Sequence, residues 1–239
     1  MSRNCLILGA SGGIGKATAL QLAESGYNLC LQYYQNAHHL SDLQDAIHED
    51  QWLGAIQADL SCSEGIQSFI AGLPYVFDAV VFTGGTSLRS LLQDSAEADM
   101  DKLYHLHVKS VWRITQHLLP DMLRKQEGHI IIVSSIWGEE GGSMESLYSS
   151  VKGAQISFVK ALAKEVAPNG VYVNGVTPGF IDTAMNQSFN ESDFSAIQQD
   201  IPMGRVGRPG EVARAVDFLL SERASYINGH LLKVNGAWN

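Results

Sequence analysis

The stretch "LILGASGGIGKATALQLAESG", residues 6–26, passes without interruption from a short apolar run, through a cluster of glycines, into a segment with helical spacing. Gly9, Gly13 and Gly15 fall directly after the apolar run and at the start of the helix, where a chain without side chains lets a ligand approach the backbone. The first amides of a helix have no partner inside it, and the helix dipole adds partial positive charge. A pyrophosphate is therefore the natural occupant of such a turn. The spacing here is Gly-x-x-x-Gly-x-Gly rather than the Gly-x-Gly-x-x-Gly of the ordinary dinucleotide fingerprint.

Outward from this turn, short apolar runs recur at 5–10, 28–34, 53–58, 78–84, 129–135, 171–176 and 230–236, and segments with apolar residues every three or four positions lie between them. Strands that are nearly continuous apolar runs, alternating with helices, predict a doubly wound α/β fold: a mainly parallel sheet of seven strands with helices on both faces. At 239 residues, with no Pro/Ser-rich linker and no internal repeat, the chain is expected to form one domain over 1–239. Residues 180–204 are too long and irregular for an ordinary connection and are a candidate substrate lid.

Composition narrows the function classes. A formal charge of -9 argues against nucleic acid and anionic membrane surfaces, which need a basic footprint. The charged fraction of 17% and apolar fraction of 45% are those of a soluble globular protein, and the first apolar run stops too soon for a signal-peptide core, so a cytoplasmic location is expected. Cys5, Cys30 and Cys62 are odd in number and read as reduced residues; no metal-ligand spacing is present, and no metal is expected.

"SLYSSVKGAQ", residues 146–155, places Tyr148 and Lys152 four positions apart on one helix face, where an ammonium beside a phenol is expected to lower the phenol's pKa toward general acid/base range. Alone, this pair is a weak motif and reads more readily as helix surface. Ser135 closes the run "HIIIVSS" 13 residues earlier. In doubly wound sheets ligands bind at the carboxyl ends of the strands, where such a serine would stand.

The glycine turn, Ser135, Tyr148 with Lys152, and "TPGFIDT" at 177–183 occur in the order and spacing of the short-chain dehydrogenase/reductase family, which the chain resembles over essentially its whole length. The resemblance implies an NAD(P)H-dependent ketoreductase in which Ser135 holds the substrate carbonyl, Tyr148 gives it a proton and Lys152 supports Tyr148 and the cofactor ribose. It further implies that Gly9, Ser11, Gly13, Ile14, Gly15, Asp59, Leu60, Gly84, Tyr148, Lys152, Pro178, Gly179, Ile181 and Thr183 contact the dinucleotide, with Asp59 beside adenine. Because "LQYYQNAHHL" at 31–40 offers no Asp or Glu to a ribose 2′-hydroxyl, the same logic points to NADP over NAD. Gly12 occupies the slot of the usual selecting basic residue, leaving Asn36, His38 and His39 either as 2′-phosphate contacts or as a solvated helix start.

Departures from the family pattern carry further information. Leu8 replaces a common threonine, "FTGG" at 82–85 replaces Asn-Asn-Ala-Gly, and His107 stands 41 residues before Tyr148 where many relatives have an asparagine whose carbonyl holds a proton-relay water. His107 reads equally as a variant member of that relay or as a histidine filling helix-core space. The overall likeness is to β-ketoacyl-[acyl-carrier-protein] reductases, yet two positions where these present carrier-docking arginines are Gln126 and Asn169, and Glu139 and Glu140 lie in the loop that faces substrate. An acidic mouth suits a substrate bearing an amine. "SSIWG", His107 and "LYSSVKGAQ" also resemble the elongation factor P 5-aminopentanone reductases, so a ketone that is small or carried on a protein is the expected partner. The family resemblance also implies a homodimer or homotetramer. A non-catalytic dinucleotide sensor is the alternative from another class.

Overall fold

In a computed structural model, residues 3–186 and 190–238 are described. Seven strands, β1 (Arg3–Leu8), β2 (Tyr27–Tyr33), β3 (Trp52–Gln57), β4 (Ala79–Phe82), β5 (Gly128–Val133), β6 (Val171–Pro178) and β7 (Leu231–Val234), form one sheet in the order β3-β2-β1-β4-β5-β6-β7. Every neighbouring pair is parallel. Each of the apolar runs singled out in the sequence becomes one of these strands.

Alternation along the strands explains why they look continuously apolar. Cys5, Ile7, Ala79, Val81, Ile131 and Val133 point to one face, where they pack with α1 (Gly13–Glu24), α2 (His38–Ala46) and α9 (Pro209–Leu220). Leu6, Leu8, Val80, Phe82, Ile130 and Ile132 point to the other, against α3 (Ser63–Ala71), α5 (Ser110–Lys125) and α7 (Ser146–Val166). With both faces covered, the central strands β1, β4 and β5 have no solvent-facing half for a polar/apolar zigzag. Cys5 and Cys30 are buried free thiols, and burial pushes both up in pKa, Cys30 to about 11.

The sequence pattern at 96–126 reads as one long helix, and the structure divides it. α4 (Glu97–Tyr104) runs into a π-helical segment, His105–Lys109, before α5 begins. One extra residue per turn leaves no mark on an apolar period, which is why the pattern hides it. Residues 180–204 also have more structure than an irregular loop: Ile181 bridges to Gly207, residues 184–186 form a 3₁₀ turn, and α8 (Glu191–Asp200) brings Phe194 to 5.7 Å from Phe180. Residues 187–189 of this candidate lid lie outside the described residues. Among the described residues no helix is long and apolar enough to cross a membrane.

Candidate active site

Strand order reverses between β1 and β4, so the connections leaving these two strands diverge and open a crevice at their carboxyl ends. The glycine turn lies there. Gly9 has φ +76°, and a Cβ on it would stand 2.3 Å from Gly84 Cα, so the two loops touch backbone to backbone. A Cβ on Gly13 would stand 2.9 Å from Thr183 Cγ2, which brings the segment after β6 over the start of α1. No side chain caps α1. Its first amides are thus left for a ligand, and a cradle kept open by glycine at an uncapped helix start fits the pyrophosphate of a dinucleotide.

Buried Gln32 braces this cradle, accepting from Gly9 N at 2.9 Å and donating to Ala58 O at 2.8 Å. Nothing in an apolar strand pattern singled it out. Asp59 is occupied locally: burial works against its charge, but the Ser61 hydroxyl at 2.6 Å and amide at 2.8 Å outweigh this and hold its pKa low. The Leu60 side chain is buried in the core, which leaves its backbone for any ligand contact. His39 is tied to the turn through Nδ1 and Ser11 O at 2.9 Å, whereas Asn36 and His38 are exposed and Lys16 is paired with Asp42 at 2.7 Å.

At the other end of the crevice, β5 and α7 are fastened together. Ser134 Oγ donates to Lys152 O at 3.0 Å, and Gly138, in the one-turn α6 (Trp137–Glu140), packs so closely that a Cβ would come 2.7 Å from the Lys152 carbonyl carbon. Ser135, Tyr148 and Lys152 are all buried, and Lys152 Nζ lies 5.7 Å from the Tyr148 ring centroid. The ammonium donates to Val133 O at 3.0 Å and to Gln155 Oε1 at 3.2 Å.

The electrostatics revise one expectation. Burial pushes the Tyr148 phenol above its ordinary value, with the Ser135 hydroxyl opposing and Glu145 reinforcing the rise, while burial pulls Lys152 down to about 7. Desolvation of both groups therefore outweighs the attraction between phenolate and ammonium that their helix spacing suggested.

His107 sits against the same ring, its imidazole edge-on to Tyr148 with centroids 5.7 Å apart, and Nε2 is 2.9 Å from Thr86 O. Burial first, then the Lys152 charge, pulls it down to about 3, so it stays neutral at ordinary pH. Its Nδ1 is buried and unpartnered. Further along, Ile136 N donates to Pro178 O at 3.1 Å, Gly179 packs on Asn235, and Ile181 is buried, joining the Pro-Gly segment to the end of β5.

The acidic mouth also needs correction. Glu139 and Glu140 are both held by Lys233, at 3.1 Å and 3.7 Å, so two carboxylates already share one cation. Lys233 comes from β7, and sequence distance concealed the contact. A third carboxylate, Glu145, is half-buried three residues before Tyr148, where burial raises its pKa and Arg89 opposes the rise. A cavity of about 340 Å³ opens beside the crevice between the 180–204 segment and the C-terminal stretch, lined in part by Phe180, Ile201, Met203 and Lys233.

With this geometry, residues 9–239 match a family model described as Enoyl-(Acyl carrier protein) reductase. The chain belongs to the short-chain dehydrogenase/reductase family. It is 46% identical over 241 residues to the uncharacterized oxidoreductase YmfI of Bacillus subtilis, covering 100% of both chains. It is 33% identical over 243 residues to the 3-oxoacyl-[acyl-carrier-protein] reductase FabG of Staphylococcus aureus, covering 99% of this chain and 98% of the relative. Among solved structures, a putative NAD(P)-dependent gluconate 5-dehydrogenase from Beutenbergia cavernae with bound NADP superposes with a TM-score of 0.91 at 26% identity, covering 99% of this chain and 96% of the other. This short-chain dehydrogenase/reductase is an oxidoreductase by family, and its relatives span more than one substrate.

Proposed function

We propose that the chain is an NADPH-dependent ketoreductase. The observation that carries this reading is the burial of Ser135, Tyr148 and Lys152 together at the carboxyl end of the sheet, alongside a glycine cradle suited to a pyrophosphate. The dinucleotide, when bound, supplies the hydride that adds to the ketone carbon. Ser135 donates a hydrogen bond to the carbonyl oxygen, and Tyr148 transfers its phenolic proton to that oxygen as the C=O π bond breaks, giving an alcohol and a tyrosyl phenolate. Lys152 stabilises the phenolate, which is then reprotonated from solvent. Gly9, Gly13, Gly84 and Thr183 frame the pyrophosphate, and His107, neutral throughout, forms a wall rather than an acid or base. NADP over NAD is supported by the absence of an acidic residue at the end of β2 and by the NADP bound to the structural neighbour.

The substrate has two readings. Likeness to the 3-oxoacyl-[acyl-carrier-protein] reductase favours a carrier-borne ketoester, but Gln126 and Asn169 are uncharged where such relatives present carrier-docking arginines, and Gly170 packs on the Gln126 carbonyl. Glu145 favours instead a ketone bearing an amine, such as the 5-aminopentanone group on modified elongation factor P, because a half-buried carboxylate beside Tyr148 can pair with an ammonium. A cytoplasmic dimer or tetramer, one domain, and a lid at 180–204 complete the proposal.

Turnover of an acyl-carrier ketoester, an amine-bearing ketone and modified elongation factor P, each with NADPH and NADH, tests it. Faster oxidation of NADPH with the amine-bearing ketones, weakened by Glu145→Gln, is the expected result. Binding of NADPH without oxidation on any ketone would favour the sensor.

A further inference from the structure

Gln155 lies three residues beyond Lys152 on α7, and both side chains are buried, 4% and 3% exposed. Its Oε1 accepts from the Lys152 ammonium at 3.2 Å, and its Nε2 donates to His107 O at 2.8 Å. An ammonium only donates and a carbonyl only accepts, so these two neighbours fix a single orientation of the carboxamide. The carbonyl it reaches belongs to the π-helical segment, where the i→i+4 ladder is interrupted.

We propose that Gln155 is a positioning residue for the reaction: its carboxamide holds the Lys152 ammonium beside Tyr148 and locks it to the π segment that carries His107. The inference rests on the roles given above to Tyr148 and Lys152. Of the three donors on the ammonium, Val133 O and Gln155 Oε1 take two, which directs the third toward the cleft.

The groups around the ammonium are few. Tyr148 shares its helix, neutral His107 faces it from the π segment, β5 offers the Val133 carbonyl, and the two residues after β5 offer the Ser134 and Ser135 hydroxyls. α6 contributes Gly138, while its Glu139 and Glu140 are engaged by Lys233. Burial accounts for the lowered lysine, and among the described residues no carboxylate offsets it. The neutral oxygen of Gln155 is thus one of two groups that favour the charged form, and losing a hydrogen bond to a buried charge is costly.

The test uses Gln155→Leu, Gln155→Met and Gln155→Glu, with circular dichroism melts to establish folding and with two readouts. One is the pH profile of kcat/KM, whose descending limb follows loss of the lysine proton. The other is a 15N-lysine NMR titration of Lys152 Nζ, assigned by its loss in Lys152→Arg and needing neither cofactor nor substrate. In Leu and Met variants both readouts should move to lower pH by roughly one unit. In Gln155→Glu both should move up, because a carboxylate favours the ammonium. Lys152 titrations that coincide with the parent's in all folded variants would overturn the proposal, as would a shifted rate limb without a shifted titration. If the titration moves and no ketone is turned over, the positioning role stands and the ketoreductase reading falls.

Discussion

At the start of α1 the crevice is made of backbone, with Gly9, Gly84 and Gly13 allowing close approach only because they lack side chains; at the start of α7 it is made of buried polar side chains, Ser135, Tyr148, Lys152 and Gln155. The backbone half has no room for a side chain at Gly9 or Gly13, and at those positions its walls are peptide groups, which do not titrate. The side-chain half depends on every proton, because desolvated groups change charge at unusual pH. Substitutions that keep shape should therefore damage the second half, and substitutions that add one or two carbons should damage the first.

The largest expected effect is on the side-chain half. Tyr148→Phe keeps the ring and removes the acidic hydroxyl, so ketone-dependent NADPH oxidation should fall by roughly 10²–10⁴-fold. Titration of intrinsic fluorescence with NADPH should give a nearly unchanged Kd. Equal losses of rate and affinity would erase the distinction between the halves. Next, Gly9→Val should weaken NADPH binding by more than about tenfold in the same titration, since its Cβ would sit 2.3 Å from Gly84 Cα at a backbone angle of +76°.

Protonation of His107 should affect stability rather than chemistry. Its folded pKa is pulled from 6.5 to about 3, so below pH 6.5 the unfolded chain binds a proton that the folded chain does not, and stability is lost as pH falls from 6.5 toward about 3. His129, pulled to about 4, acts in the same direction. Thermal melts across that range should show a shallower acid loss for His107→Asn than for the parent, and the same slope would disprove this account of its burial. The smallest effect is a rescue. Gly13→Ala should weaken NADPH binding, and adding Thr183→Ser should recover part of the loss, because the methyl that the new Cβ meets at 2.9 Å is then gone. No recovery would show that the clash lies elsewhere.

The two halves also differed in legibility. The seven strands and the glycine turn follow from local patterns, because glycine spacing and apolar runs report the backbone directly, whereas Thr183 was reached only through the family resemblance. The pairing of Tyr148 with Lys152 was legible as a helix spacing, but the sign of its electrostatics was not, since burial is a tertiary property. Gln155, Gln32 and Lys233 were missed for the same reason. Their partners lie 48, 23 and 94 positions away in His107, Gly9 and Glu139, and a lone polar residue in an apolar pattern does not say whom it meets.

The π segment between α4 and α5 sets an angular phase. Each helical residue turns the direction of the next by about 100°, so one surplus residue lets the stretch before it and the stretch after it aim at different neighbours. His107 in the segment is buried against Tyr148, while Val111, Ile114 and Leu118 beyond it mesh with the sheet. Excising a single amino acid there would leave the chain able to satisfy one of these alignments and force the other to rotate away.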